Sequence, residues 1–209
     1  SRGARTRAAT AQSQLSSKTI VTTAFLVSTL VVAIAEIGDK TQLLSLLLAA
    51  RFRKPLPIIA GIFCATVANH TLAAMLGEWV RAQFDPGMLR WVLGLSLLAI
   101  AGWTLKPDKL DAEVKQAGRY GVFLLTFVAF FIAEIGDKTQ IATVVLAAQY
   151  QALVAVVLGT TFGMMLANVP AVLLGAAMAH RIPLRAVRIS AALLFAVLGV
   201  LALAGVTLS

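Results

Sequence analysis

Long apolar stretches separated by short polar segments dominate this chain of 209 residues. About 20 apolar residues in a helix are enough to cross the hydrocarbon core of a bilayer, and most of the stretches reach that length. They cover approximately residues 19–50, 57–80, 89–105, 120–148, 152–179 and 184–208. The pattern therefore predicts an all-α integral membrane protein with six transmembrane helices.

The first stretch is too long for one straight helix that stands upright in the membrane. At about 1.5 Å per residue it would reach roughly 48 Å, whereas the hydrocarbon core is about 30 Å thick. Tilt, projection beyond the membrane, or a break near Gly38 has to absorb the excess.

The first and fourth stretches contain the same polar octapeptide, AEIGDKTQ, at residues 35–42 and again at 133–140. Each copy brings two carboxylates and one ammonium group into a region where charge is expensive, so these groups need a function or mutual neutralisation. We interpret that function as movement of a cation. The ionisable residues are Glu36, Asp39, Lys40, Glu134, Asp137 and Lys138.

The repeat extends beyond the octapeptide. At the same offset of 98 positions, Gly61 corresponds to Gly159 and His70 to Asn168. Each half holds three predicted helices, and an odd number of crossings makes the second half enter the membrane from the opposite side. The sequence therefore predicts two inverted three-helix repeats whose motifs meet near the middle of the bilayer.

The predicted organisation has four parts. A tail rich in Ser, Thr, Ala and Arg is expected to be disordered. The parts are the tail over residues 1–18, the first repeat over 19–105, a cytoplasmic connecting loop over 106–119 and the second repeat over 120–209.

Composition and charge agree with a membrane protein. Hydrophobic residues make up 59% of the chain and charged residues only 13%, which is far from the average of soluble domains. The net charge of +9 lies mainly between the apolar stretches, so we predict lipid, and no nucleic acid, as a partner. Ten Lys and Arg residues follow the first, third and fifth stretches, against three on the other side, or six with the tail. This bias places the connecting loop in the cytoplasm and both termini outside.

The paired motifs offer oxygen ligands for a metal ion. On a continuous helix, Glu36 shares a face with Asp39 and Lys40, whereas Thr41 points away. If all groups are ionised, four carboxylates and two ammonium groups sum to minus two, which matches one divalent cation. Oxygen ligands suit hard ions such as Ca²⁺, Mn²⁺ or Mg²⁺. The predicted metal ligands are Glu36, Asp39, Glu134 and Asp137.

Further residues are predicted to support these ligands. Lys40 and Lys138 would act as internal counter-ions in the empty site, and Gly38 and Gly136 would let each helix open, as broken helices do in transporters. His70 and Asn168 either reach the ion or serve as satisfied packing groups. The predicted surrounding amides are Gln42, Gln140 and Asn168.

The empty site suggests a coupling mechanism. Crowded carboxylates in a poorly solvated pocket favour protonation, whereas a bound divalent cation favours their ionised form. Metal and protons therefore compete, and we hypothesise that Glu36 and Glu134 are the principal ligands and proton carriers. Exchange of metal for protons follows. No cofactor is predicted, because the cation is the substrate.

The two motifs resemble the paired Glu-x-Gly-Asp-Lys-Thr/Ser signatures of a membrane family that includes bacterial MneA-type manganese exporters and the Golgi and chloroplast Mn²⁺/Ca²⁺ transporters. The resemblance covers nearly everything from residue 19 onward. It implies a six-helix inverted repeat that carries Mn²⁺ or Ca²⁺, generally in exchange for protons, and it adds Thr41 and Thr139 to the cation site. The short chain is similar to the bacterial members, which implies manganese efflux across an inner membrane. A homo-oligomer is compatible with this picture.

Other functions stay open at this point. The charged groups could serve only to stabilise the association of helices. An intramembrane aspartyl protease also uses paired carboxylates, although the Lys beside each Asp and the lack of a GxGD sequence argue against an enzyme. A small six-helix exporter of amino acids and a passive cation channel are the remaining alternatives.

Overall fold

A computed structural model of the chain describes residues 2–106, 121–174 and 184–205. All regular secondary structure in these ranges is α-helical. The helices are α1 (Arg2–Glu36), α2 (Lys40–Phe52), α3 (Pro55–Gln83), α4 (Pro86–Thr104), α5 (Gly121–Glu134), α6 (Lys138–Tyr150), α7 (Leu153–Leu174) and α8 (Leu184–Leu203). Beyond Lys106, the predicted connecting loop lies outside the described residues.

The first and fourth apolar stretches are each broken into two helices. The breaks lie at residues 37–39, between α1 and α2, and at 135–137, between α5 and α6. The backbone of Gly38 has a φ of 80°, and that of Gly136 has a φ of 71°. Residues with a side chain rarely adopt this conformation, which ends a right-handed helix. The sequence analysis left open whether the helices break at these glycines, and the structure has a break at both.

Five helical segments in the described part of the chain are long and apolar enough to span a membrane: Ser16–Glu36, Pro55–Gln83, Pro86–Thr104, Leu153–Leu174 and Arg185–Leu203. The fourth predicted crossing is instead divided between α5 and α6, which have 14 and 13 residues and are each too short to span alone. The chain is therefore an integral membrane protein with an all-helical architecture.

The N-terminal tail differs from the expectation. The sequence analysis expects residues 1–18 to be disordered, whereas α1 already begins at Arg2 and continues without interruption to Glu36. Ala, Arg and Gln are frequent in this segment, and these residues are among the stronger helix formers. The tail therefore extends the first membrane helix.

The distribution of side chains is that of a protein surrounded by lipid. Large apolar side chains face outward, among them Leu56, which is 78% exposed, and Val154, which is 67% exposed. Glu36, Glu134 and Asn168 are fully buried. Because lipid offers polar groups no hydrogen bonds, such groups collect between the helices.

Helices α1 and α7 run side by side in the same direction. A Cβ atom added to Gly159 would lie 2.5 Å from the carbonyl oxygen of Phe25, and one added to Gly163 would lie 2.5 Å from that of Thr29. Small residues allow this close approach, which drives helix association inside membranes. Successive turns of α1 therefore contact successive turns of α7.

Helix α3 runs in the same way along α5 and α6. A Cβ atom at Gly61 would lie 2.8 Å from the carbonyl oxygen of Phe123, and one at Gly77 would lie 2.3 Å from that of Val144. The contact of Gly61 with Phe123 corresponds to the contact of Gly159 with Phe25. Each residue of one contact lies 98 positions from its equivalent in the other. The two halves of the chain therefore pack against each other through equivalent surfaces.

Helices α4 and α8 pack in opposite directions. A Cβ atom at Gly94 would lie 2.5 Å from Cγ of Leu203, and one at Gly199 would lie 3.0 Å from Cγ of Leu98. The contact therefore moves toward the N-terminus of α8 as α4 proceeds toward its C-terminus. Helices α4 and α8 therefore form an antiparallel pair.

Candidate metal site

The acidic residues of both motifs lie at the two helix breaks. Glu36 and Glu134 are the last residues of α1 and α5, and Asp39 and Asp137 are the N-caps of α2 and α6. All four side chains are buried. The unsatisfied N–H groups at the start of a helix favour negative charge, so the two aspartates lie where a carboxylate is stabilised.

Three of the four predicted ligands come together. Glu36, Asp39 and Asp137 each offer a carboxylate oxygen, and these oxygens lie within 4.8 Å of one another. We call these residues the three-carboxylate group. The two motifs thus converge as predicted, but Glu134 is not part of the group and lies toward α3 instead. The predicted set of four is therefore divided into three and one.

Each motif lysine pairs with the aspartate of the other motif. Nζ of Lys40 lies 2.9 Å from Oδ1 of Asp137, and Nζ of Lys138 donates to Oδ1 of Asp39. The Lys138 side chain is 4% exposed, whereas that of Lys40 is 26% exposed. The lysines lie beside the acids as predicted, but each ion pair joins the two halves of the chain, which a pattern along one helix does not reveal.

The two motif threonines contact different acids. Thr41 donates its hydroxyl to Oε2 of Glu36, and Thr139 donates its hydroxyl to Oδ2 of Asp137 at 3.1 Å. The expectation that Thr41 points away from Glu36 is therefore wrong. It assumed a continuous helix, whereas the break at Gly38 turns the start of α2 back toward the end of α1.

The motif glutamines close the helix breaks. Oε1 of Gln42 accepts a hydrogen bond from the backbone N–H of Gly38 at 2.8 Å, and Oε1 of Gln140 accepts one from the N–H of Gly136 at 2.7 Å. These N–H groups have lost their helical acceptor because the helix ends before them. The same side chain therefore stabilises the break in both motifs.

The amide nitrogens of the glutamines connect each break to a neighbouring helix. Nε2 of Gln42 donates to the carbonyl oxygen of Ala167 in α7 at 3.0 Å. Nε2 of Gln140 donates to Oδ1 of Asn69 in α3 at 3.3 Å, and Nδ2 of Asn69 donates to the carbonyl oxygen of Phe131 at 3.0 Å. The glutamines are therefore in contact with the break, as a supporting role requires.

Glu134 lies in a separate polar pocket against α3. Its Oε1 accepts a hydrogen bond from the Thr66 hydroxyl at 3.1 Å, and its Oε2 lies 3.8 Å from Nε2 of His70. No sequence signal pointed to Thr66, and the role of His70 was left undecided. Asn168, the counterpart of His70, instead donates to the carbonyl oxygen of Met164 at 3.1 Å within its own helix.

The arrangement places excess negative charge in a buried pocket. Four carboxylates and two lysines have a formal sum of minus two, and Oε1 of Glu36 and Oε2 of Glu134 have no hydrogen-bond partner among the described residues. A buried carboxylate oxygen without a partner is costly. A cation or a proton would remove that cost, so the site suits both.

Comparison with known proteins agrees with this chemistry. The family described as "Divalent cation/proton antiporter GDT1" matches residues 24–112 and 122–208, one segment in each half. A predicted manganese exporter of Vibrio cholerae is 60% identical over 163 residues, which cover 78% of this chain and 81% of the relative. The GDT1-like protein 4 of rice is 31% identical over 199 residues, which cover 82% of this chain and 70% of that protein.

A GDT1-like protein of Synechocystis is 28% identical over 195 residues, which cover 83% of this chain and 93% of the relative. No solved structure matches the chain. The family match and these relatives identify a membrane transport protein rather than an enzyme. The chain belongs to the GDT1 family of divalent cation/proton antiporters, which confirms the family suggested by the two motifs.

Proposed function

We propose that this protein exports Mn²⁺ across the membrane in exchange for protons, and that the ion binds between the two motifs. The observation that carries the proposal is the three-carboxylate group, in which acids of both repeats bring oxygens within 4.8 Å of one another. Ca²⁺ is the second candidate, because it also takes oxygen ligands. Mn²⁺ comes first because the 60% identical relative is named for manganese export.

The lysines are built-in counter-ions in this proposal. When no metal is bound, Lys138 neutralises Asp39 and Lys40 neutralises Asp137. An arriving divalent cation replaces the two ammonium groups at the aspartate oxygens. The exchange keeps the acids neutralised throughout, because a bare cluster of buried carboxylates would be far more costly than a paired one.

The glutamates carry the protons. Glu36 and Glu134 are fully buried, and each has one carboxylate oxygen without a hydrogen-bond partner among the described residues. A proton can take the place of the metal charge on such a group when the ion leaves. Competition between metal and protons for these carboxylates couples the two fluxes.

Alternating access follows from an inverted repeat of six crossings. Three packing relationships support this architecture: α1 is parallel to α7, α3 is parallel to α5 and α6, and α4 is antiparallel to α8. An axis in the membrane plane requires each helix of one half to run opposite to its counterpart, and the antiparallel pair of α4 and α8 supports this. Rocking of one half against the other would open the site to each side in turn.

The basic loops set the orientation of the transporter. We place it in a bacterial inner membrane, in line with the Vibrio cholerae relative. The excess of Lys and Arg after the first, third and fifth apolar stretches puts the central loop in the cytoplasm and both termini outside.

The proposal is tested by transport into vesicles that hold the purified protein in the inside-out orientation. Mn²⁺ and Ca²⁺ are offered in competition, and the internal pH is recorded. We expect Mn²⁺ entry to be accompanied by proton exit. Glu36→Gln, Asp39→Asn and Asp137→Asn should each reduce flux by at least about tenfold, since even indirect support of a metal ligand is worth that much. Glu78→Gln is the matched control, because Glu78 is an exposed acid of α3.

Two outcomes would contradict the proposal. Full flux in the three site variants would leave the acids with a packing role only. Mn²⁺ entry that moves no protons would instead favour a passive channel.

A further inference from the structure

His70 and Glu134 face each other across a gap in the middle of the protein. Nε2 of His70 lies 3.8 Å from Oε2 of Glu134, and both side chains are fully buried. The distance is too long for a hydrogen bond. Among the described residues, neither ring nitrogen of His70 has a hydrogen-bond partner, and Oε2 of Glu134 accepts no hydrogen bond. Buried polar atoms without partners are costly, and two that face each other suggest an absent ligand.

The width of the gap fits a shared metal ion. Nitrogen and oxygen ligands of divalent metals lie about 2.0–2.6 Å from the ion, so two neighbouring ligands are about 2.8–4.2 Å apart. The separation of 3.8 Å falls in this range. The other oxygen of Glu134 accepts a hydrogen bond from Thr66, which orients the carboxylate as supporting residues do at metal sites.

We propose that His70 and Glu134 form a second cation position beside the three-carboxylate group, and that the imidazole nitrogen makes it selective for transition-metal ions over Ca²⁺ and Mg²⁺. This inference rests on the proposed function and assigns its selectivity to one residue. Imidazole is a favoured ligand of transition metals, whereas Ca²⁺ and Mg²⁺ prefer an all-oxygen set.

The second position adjoins the three-carboxylate group. The backbone N–H of Asp137, a member of that group, donates to the carbonyl oxygen of Glu134 at 3.0 Å. A cation held by His70 and Glu134 is therefore within electrostatic reach of the other acids.

The selectivity resides in only one half of the protein. The counterpart of His70, at the offset of 98 positions, is Asn168 in α7. An asparagine amide nitrogen is a donor and offers a metal no lone pair, and in Asn168 it donates to the carbonyl oxygen and the sulfur of Met164. The first half therefore contributes a nitrogen ligand through α3, whereas the corresponding position in α7 offers no nitrogen ligand.

Pulsed electron paramagnetic resonance of Mn²⁺ bound to the purified protein tests the coordination directly. A ¹⁴N nucleus bonded to Mn²⁺ modulates the electron spin echo, and the chain has only two histidines, His70 and His180. We expect histidine modulation in the wild type and in His180→Asn, and its loss in His70→Asn. Bound Mn²⁺ without histidine modulation in the wild type, or modulation that persists in His70→Asn, would overturn the inference.

Competitive transport tests the selectivity. His70→Asn makes this position identical to its counterpart, and His70→Gln serves as a second substitution. Both should lower the ratio of Mn²⁺ to Ca²⁺ flux by about tenfold or more, with Ca²⁺ flux retained. An unchanged ratio in a variant that still transports would overturn the inference alone. A wild-type protein that moves and binds no divalent cation would overturn the proposed function and this inference together.

Discussion

Lys138 and Asp39 form a buried ion pair although they belong to opposite repeats of the chain. The reciprocal pair, Lys40 with Asp137, joins the same two helix breaks at 2.9 Å. The aspartate at each break is therefore neutralised by the lysine at the other break. Because the pairs cross between the repeats, a movement of one repeat against the other would separate these charges.

The two ion pairs should differ in their contribution to stability. Lys138→Met removes the ammonium group that pairs with the buried Asp39, and the loss of one member of a buried pair costs about 3–5 kcal/mol. Lys40→Met should cost less, because the Lys40 side chain is 26% exposed and its surroundings are accessible. Thermal unfolding in detergent measures both variants. Asp39→Asn combined with Lys138→Met should recover part of the loss, and equal destabilisation by the two single variants would contradict the assigned difference in burial.

The positive φ of the motif glycines predicts strain on substitution. Gly136 has a φ of 71°, and a Cβ atom there would meet no atom within 4 Å, so Gly136→Ala changes backbone preference without a clash. The expected cost is about 1–2 kcal/mol. Gly102→Ala is a matched control in α4, where a Cβ atom also meets nothing. Unfolding midpoints should fall only for Gly136→Ala, and equal midpoints in both variants would argue against the break.

The equivalent packing of the two halves predicts equivalent sensitivity to larger residues. Gly159→Ala and Gly61→Ala each introduce a Cβ atom closer than 3 Å to a backbone oxygen of the neighbouring helix. Overpacking of this kind costs about 1–3 kcal/mol. We expect both variants to unfold at lower temperature than Gly102→Ala. A large effect at one glycine and none at the other would show that the two interfaces are not equivalent.

The hydrogen bonds of Gln42 predict which contact stabilises the break at Gly38. Gln42→Met removes both the acceptor for the Gly38 N–H and the donor to Ala167, whereas Gln42→Glu keeps the acceptor and loses the donor. Leaving a buried N–H without a partner costs about 1–3 kcal/mol. Hydrogen exchange at Gly38 should therefore accelerate in Gln42→Met and change less in Gln42→Glu. The reverse order would assign the stabilising role to the contact with α7.

The helical stretches were predictable from the sequence, because apolar length indicates where a helix can cross a membrane. The break at Gly38 was only one of three ways to absorb the excess length of the first stretch, beside tilt and projection beyond the membrane. Convergence of the motifs followed from the repeat. The helical tail from Arg2 was not foreseen, because its polar composition favours disorder while its individual residues favour helix.

The finer geometry of the site depends on contacts between distant segments. The pairing of Lys138 with Asp39, the separation of Glu134 from the three-carboxylate group and the position of His70 all depend on how α3 packs against the second break. Helical periodicity relates residues only within one continuous helix. Because the helix breaks at Gly38, periodicity does not give the position of Thr41 relative to Glu36. These features could be found only in three dimensions.

The central claim is that one divalent cation is held by acids of both repeats. Anomalous diffraction from crystals soaked with Mn²⁺ tests it most directly. We predict anomalous density within coordination distance of Glu36, Asp39 and Asp137, with Lys40 and Lys138 displaced from the aspartates. A soaked crystal with no anomalous density at these three carboxylates and with both ion pairs intact would contradict the account, whether or not density lies at His70 and Glu134.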